Sequence, residues 1–143
     1  MIKRYEIIVV DDDVEDRMLM QQSFTEAGIN QPCQWLEDLP SLFFTLSECK
    51  SGQTLPLLII LDYIFPSGNG LDALMKIRAK SEYDSIPVLI FSDFLTLKIE
   101  REFLNQGALA CTSKPDRYEK VIEWAGYVKH IAQSSMDKHS YHV

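Results

Sequence analysis

"IIVVDDDVEDR", residues 7–17, sets four β-branched residues directly before three aspartates, with Glu15 and Asp16 close behind. The apolar run has the compact, continuous character of a strand covered on both faces, as in parallel sheets. The acids stand where such a strand would end. Like charges gathered in one place repel, so a site of this kind raises a pKa or recruits a cation. The stretch is therefore either a solvated loop or one half of a site that holds something positive.

Comparable runs recur along the chain. "LLIIL" at 57–61 and "VLIF" at 88–91 have the same character, and 33–36 and 109–112 are weaker candidates. Segments with helical spacing of apolar residues lie between and after them, over 15–27, 39–49, 70–80, 95–106 and 117–132. Gly28 and Gly107 close two of these as helix C-caps. Five strands alternating with five helices imply right-handed crossovers and an open parallel sheet with helices on both faces. From Gln133 onward the periodicity is lost, so one domain is expected over 1–132 and a flexible tail over 133–143.

The chain's 143 residues are enough for one such domain, and 46% hydrophobic against 24% charged residues is ordinary for a packed globular fold. The net charge is −7, and the basic residues form no stripe, which argues against nucleic acid as a partner. No apolar run approaches the roughly 18 residues of a membrane span, and no cleavable leader is visible, so a cytoplasmic protein with no membrane partner is expected. Cys33, Cys49 and Cys111 lack the spacing of zinc or redox motifs and read as reduced, structural thiols.

In open parallel sheets, ligands bind beyond the carboxyl ends of the strands. Those ends carry Asp11-Asp12-Asp13 after the first strand, Asp62 after the third, Ser92 after the fourth and Lys114 after the fifth. Any one of them has an ordinary structural explanation as a turn or cap residue. Four suitable polar groups at four of five strand ends do not.

The pieces "VVDDD" (9–13), "LIILDYIFPSGNGLDAL" (58–74), "IPVLIFSD" (86–93) and "GALACTSKP" (107–115) together resemble the receiver domain of two-component response regulators, over residues 4–131. The resemblance implies a flavodoxin-like, doubly wound (βα)5 fold with strand order 2-1-3-4-5. It implies Asp62 as phosphoacceptor, with Pro66 and Gly70 at the family's distances behind it. Asp11, Asp12, Asp62 and the backbone carbonyl of Ile64 would hold Mg2+, a cation that accepts few carboxylates and keeps several waters. Ser92 and Lys114 would bind the phosphoryl group, with Lys114 paired to Asp62 at rest and the Lys114–Pro115 bond cis. Asp13 has no family role and reads as a helix cap, with Glu15 and Asp16 as a solvated, acid-rich helix start favoured by the dipole.

Two positions depart from the family pattern. Cys111 stands where receivers carry the Tyr or Phe that swings inward on activation, and Asp93 stands where a small residue usually lines the phosphoryl entrance. The resemblance implies a stand-alone response regulator with no enzymatic activity beyond its own phosphotransfer and autodephosphorylation. Its partners would be a sensor histidine kinase, a phytochrome-type kinase among the candidates, or a phosphotransfer protein, and then a downstream target reached by docking. A homodimer through the fourth helix, fifth strand and fifth helix is a further expectation, with Trp124 and Tyr127 either on that face or, for Trp124, in the core. Two other readings stay open at this point. One is an interaction module independent of phosphorylation. The other is an aspartyl-phosphate phosphohydrolase using the D-x-D of Asp11 and Asp13, which leaves Asp62, Pro66 and Gly70 unexplained.

Overall fold

The apolar runs become the centre of a parallel sheet in the computed structural model, which describes residues 6–51 and 54–140. In chain order the elements are β1 (Ile7–Val10), α1 (Val14–Ala27), β2 (Cys33–Leu36), α2 (Leu39–Ser51), β3 (Leu58–Leu61), β4 (Ile64–Phe65), β5 (Gly68–Asn69), α3 (Gly70–Arg78), a 3-10 turn (Ser81–Tyr83), β6 (Val88–Ser92), α4 (Leu97–Asn105), β7 (Ala110–Ser113) and α5 (Tyr118–Ser140). The main sheet has five strands in the order β2-β1-β3-β6-β7, and all of its pairings are parallel. Leaving aside β4 and β5, a separate two-stranded antiparallel ribbon, this is the expected order 2-1-3-4-5.

Residues alternate across the sheet with the period of two that strands impose. Ile8, Val10, Ile59, Leu61, Val88 and Ile90 pack with α2, α3 and Phe103 of α4. Ile7, Val9, Leu58, Ile60, Leu89 and Phe91 pack with Met20 and Phe24 of α1 and with Trp124, Ala125, Val128 and Ala132 of α5. Two cores, one per face, explain why β1, β3 and β6 are buried at every position and apolar at all but Ser92.

Some helix faces differ from expectation. In α1 the buried residues are Met20, Ser23 and Phe24, while Met18 and Leu19 are exposed; in α4 only Phe103 is buried, and Leu97 and Leu104 face outward. Trp124 is a core residue, 6% exposed and stacked on Phe91 at 3.7 Å and 8°, whereas Tyr127 is exposed. The last helix does not end at 132. It continues to Ser140, with Ala132 and Ser135 buried and Met136 packed against the α1/α5 core. The Gln133-Ser134-Ser135 step hides this in the sequence, because the buried position is filled by a small polar residue rather than an apolar one. The expected tail is thus helical over its described part; residues 141–143, like residues 1–5 of the expected domain, lie outside the described residues.

Backbone connections carry the sheet one residue past the strands. Asp11 N–H donates to Leu36 O at 3.0 Å, Asp62 N–H to Val10 O at 3.1 Å and Lys114 N–H to Ser92 O at 3.0 Å. Each chemistry-bearing residue is therefore held by a neighbouring strand. Behind Asp62, Pro66 and Ser67 form the turn of the β4/β5 ribbon, and Gly70 N–H returns to Tyr63 O at 2.6 Å. A Cβ at Gly70 would stand 2.1 Å from the backbone oxygen of Asp62, so the glycine permits the close approach that fixes the loop after β3. We expect Gly70→Ala to destabilise the protein by about 1–3 kcal/mol, the usual cost of overpacking, in urea unfolding. An unchanged midpoint would show that the loop tolerates the methyl group.

Candidate phosphoacceptor site

The strand ends bring Asp11, Asp62 and Lys114 together, all largely buried. Asp12, next to them, is exposed. One carboxylate oxygen from each of Asp11, Asp12 and Asp62 lies within 4.8 Å of the others. These are hard oxygen donors, the set that Mg2+, Mn2+ or Ca2+ prefers over softer metals. The three cysteines lie outside this set, and burial pushes the Cys33 and Cys111 thiols up to about 11, so both stay protonated and unreactive.

The positive charge that the opening stretch calls for is Lys114. Its side chain is 8% exposed, and Nζ lies 2.7 Å from Asp11 Oδ2, 2.7 Å from Asp16 Oδ2 and 2.9 Å from Asp62 Oδ2. Burial opposes its charge, but the bonds from the three carboxylates outweigh it and hold the ammonium protonated well above the ordinary lysine range. Asp11 has the opposite balance. Burial pushes its carboxyl up to about 6, although Lys114 and the Asp13 N–H, which donates to Oδ1 at 2.9 Å, pull it down.

Asp62 has a partner on each oxygen: Tyr63 N–H donates to Oδ1 at 2.7 Å and Lys114 to Oδ2 at 2.9 Å. Ser92 is fully buried at the end of β6, where its hydroxyl accepts the Phe94 N–H at 3.3 Å. Ile64 opens the β4/β5 ribbon two residues beyond Asp62, opposite Asn69, with its side chain exposed. The bond between Lys114 and Pro115 is trans, as is every described peptide bond, which departs from the cis geometry the resemblance implies. For an X-Pro bond the trans form is favoured by about 0.5–1 kcal/mol.

Asp13 does cap α1: its Oδ1 accepts the amides of Glu15 at 2.9 Å and Asp16 at 3.1 Å. One oxygen of the acid that a D-x-D reading would use is thus engaged at the start of α1. Asp16, expected to be solvated, is instead bonded to Lys114. Nothing local in the sequence signals this, since the partner is 98 residues away. Arg17 was likewise not singled out, yet its Nη1 donates to Asp11 O at 2.6 Å and braces the acidic loop.

Around Cys111 the space is shared by other side chains. Cys111, Leu95, Ile99 and Tyr63 all pack against the α2/α3/α4 core, and Tyr63 meets Phe103 edge-on at 5.4 Å and 82°. The aromatic that contacts α4 in this region is thus the residue directly after Asp62. Asp93 is exposed beside Ser92.

A family model for the response regulator receiver domain matches residues 7–125. The probable methanogenesis regulatory protein FilR2 of Methanothrix harundinacea (strain 6Ac) is 26% identical over 87 residues, 60% of this chain and 56% of its own. The chain therefore spans little more than half the length of that relative. Among solved structures, the phosphorylated cyanobacterial phytochrome response regulator RcpA superposes with a TM-score of 0.81 at 17% identity, covering 92% of this chain and 96% of that one. The Mn(2+)-bound form of response regulator Rcp1 gives 0.75 at 17% identity, covering 87% and 91%. With the family pattern matched from β1 into α5, and with the acidic cluster and the lysine at the strand ends where that pattern needs them, the chain belongs to the response regulator receiver domain family.

Proposed function

We propose that the protein is a response regulator receiver that accepts a phosphoryl group on Asp62 from a histidine kinase or phosphotransfer protein and signals by docking to a partner. The observation that carries this reading is the setting of Asp62. It directly follows β3, shares a cation-sized cluster with Asp11 and Asp12, and bonds the buried ammonium of Lys114.

A carboxylate attacks phosphorus poorly unless charge on the phosphoryl group is neutralised and the approach is held in line. Asp62 would attack the donor's phosphorus, forming a P–O bond while the bond to the donor breaks and its electron pair leaves with the donor. Lys114 would move from the carboxylate to a phosphoryl oxygen, a charge-assisted bond. Ser92, whose Oγ accepts from the Phe94 N–H, would donate its hydroxyl hydrogen to another phosphoryl oxygen, and Tyr63 N–H remains available to the carboxyl oxygen it already holds. Mg2+, held by Asp11, Asp12, Asp62 and the Ile64 carbonyl, would neutralise the remaining phosphoryl charge. Mg2+ fits better than Ca2+ because so few protein oxygens converge there.

For output, Tyr63 joins the acceptor loop to α4 through Phe103. A phytochrome-type kinase is one candidate donor, on the length of α5 alone. A dimer through α4, β7 and α5 would use Tyr127 and not Trp124, which is buried. No helix among the described residues is long and apolar enough to cross a membrane.

Acetyl phosphate with Mg2+ should add one phosphoryl mass to the wild type and none to Asp62→Asn, read by intact-protein mass spectrometry. A wild type left unmodified both by acetyl phosphate and by kinases would favour a phosphorylation-independent module instead. A second expectation concerns pH. Because the Asp11 carboxyl titrates near 6, it is ionised and ready for a cation above that pH and protonated below it. Mg2+ affinity, measured by calorimetry, should therefore fall about tenfold per pH unit below pH 6, as one proton competes with the ion. A flat affinity from pH 7 to pH 5 would exclude Asp11 from the cation site.

A further inference from the structure

An ammonium group has three hydrogens, and Lys114 has three carboxylates around it. Two of these, Asp11 and Asp62, also belong to the cation cluster. Asp16 does not. It sits in the first turn of α1, where its own N–H is tied to Asp13 Oδ1 at 3.1 Å, so the cap that starts the helix also sets the direction of this side chain. Its Oδ2 accepts from Lys114 Nζ at 2.7 Å, with Asp16 28% exposed against 8% for the lysine. The bond is thus shielded on the lysine side and crosses from α1 to the loop after β7.

We propose that Asp16 is the positioning residue for Lys114. Once a cation engages Asp11 and Asp62, and once Asp62 carries a phosphoryl group, Lys114 loses its hold on two of its three carboxylates. Asp16 is the partner that neither event claims. It keeps the flexible four-carbon side chain directed into the site, so that the ammonium meets the incoming phosphoryl oxygen without first being reordered. The remaining hydrogens of the ammonium are then free for that oxygen. Asp16 touches neither phosphoryl donor nor acceptor and acts only through the lysine. This inference rests on the phosphoacceptor reading of Asp62.

The test compares rates of phosphorylation by acetyl phosphate at fixed Mg2+ in the wild type, Asp16→Ala, Asp16→Asn, Lys114→Ala and the double variant Asp16→Ala/Lys114→Ala. Asp16→Ala is expected to slow phosphorylation about tenfold, the loss of one charge-assisted hydrogen bond at the low end of its range. Asp16→Asn, which keeps an oxygen acceptor without the charge, should recover part of that loss. In the Lys114→Ala background Asp16→Ala should have no further effect, because its only route to the site is gone. A residue that merely stabilised α1 would slow both backgrounds alike. Equal or faster phosphorylation of Asp16→Ala, which would mean that its charge only repels the anionic donor, overturns the proposal and leaves Asp62 as acceptor. An additive double variant overturns it as well. No phosphoryl mass on the wild type overturns both readings together.

Discussion

A single buried ammonium balances the acidic end of this sheet. Asp11, Asp62 and Asp16 converge on Lys114 at 2.7–2.9 Å, and without it the strand ends would bring ionised carboxylates together with no compensation. Removing one member of a buried, paired set typically costs more than the set contributes, because it leaves a charge with no partner. The arrangement is therefore poised. It holds in the resting state, and it can be reorganised by anything that supplies equivalent positive charge, which a divalent cation does.

That balance depends on the sheet. β1, β3 and β6 are buried at every position, and the residues directly after β1, β3 and β7 each donate a backbone N–H to the adjoining strand, so Asp11, Asp62 and Lys114 have little freedom to drift. Gly70, packed against the Asp62 carbonyl, and Arg17, bonded to the Asp11 carbonyl, brace the two acidic loops from outside. Pre-organisation of this kind lets a weak nucleophile act, since the positional cost is met during folding and not at the moment of reaction.

Tyr63 links the Asp62 carboxylate to α4. A half-buried, protonated Cys111 stands at the usual aromatic position, and Tyr63 occupies the neighbourhood instead, its amide on the Asp62 carboxylate and its ring on Phe103. One residue thus touches both the acceptor and the helix behind it. Contacts therefore run without a gap from the Asp62 carboxylate to Phe103 of α4.

The strand and helix order, the two-sided burial and the gathering of acids and a lysine at the strand ends were legible in the sequence because they rest on local patterns: apolar runs of strand length, and acids and a lysine directly after them. The cap made by Asp13 was legible for the same reason. What required the tertiary structure were facts set by partners remote in the chain. Asp16 reads as solvated until Lys114 is brought to it, Trp124 could face either way until Phe91 stacks on it, and α5 seems to end at Ala132 until the core it lies against accepts Ser135. Periodicity states which residues share a face of one element; it does not state what that face meets. The three aspartates after β1 were visible from the start, but only the folded chain separates them into a buried lysine partner, an exposed member of the acidic cluster and a helix cap.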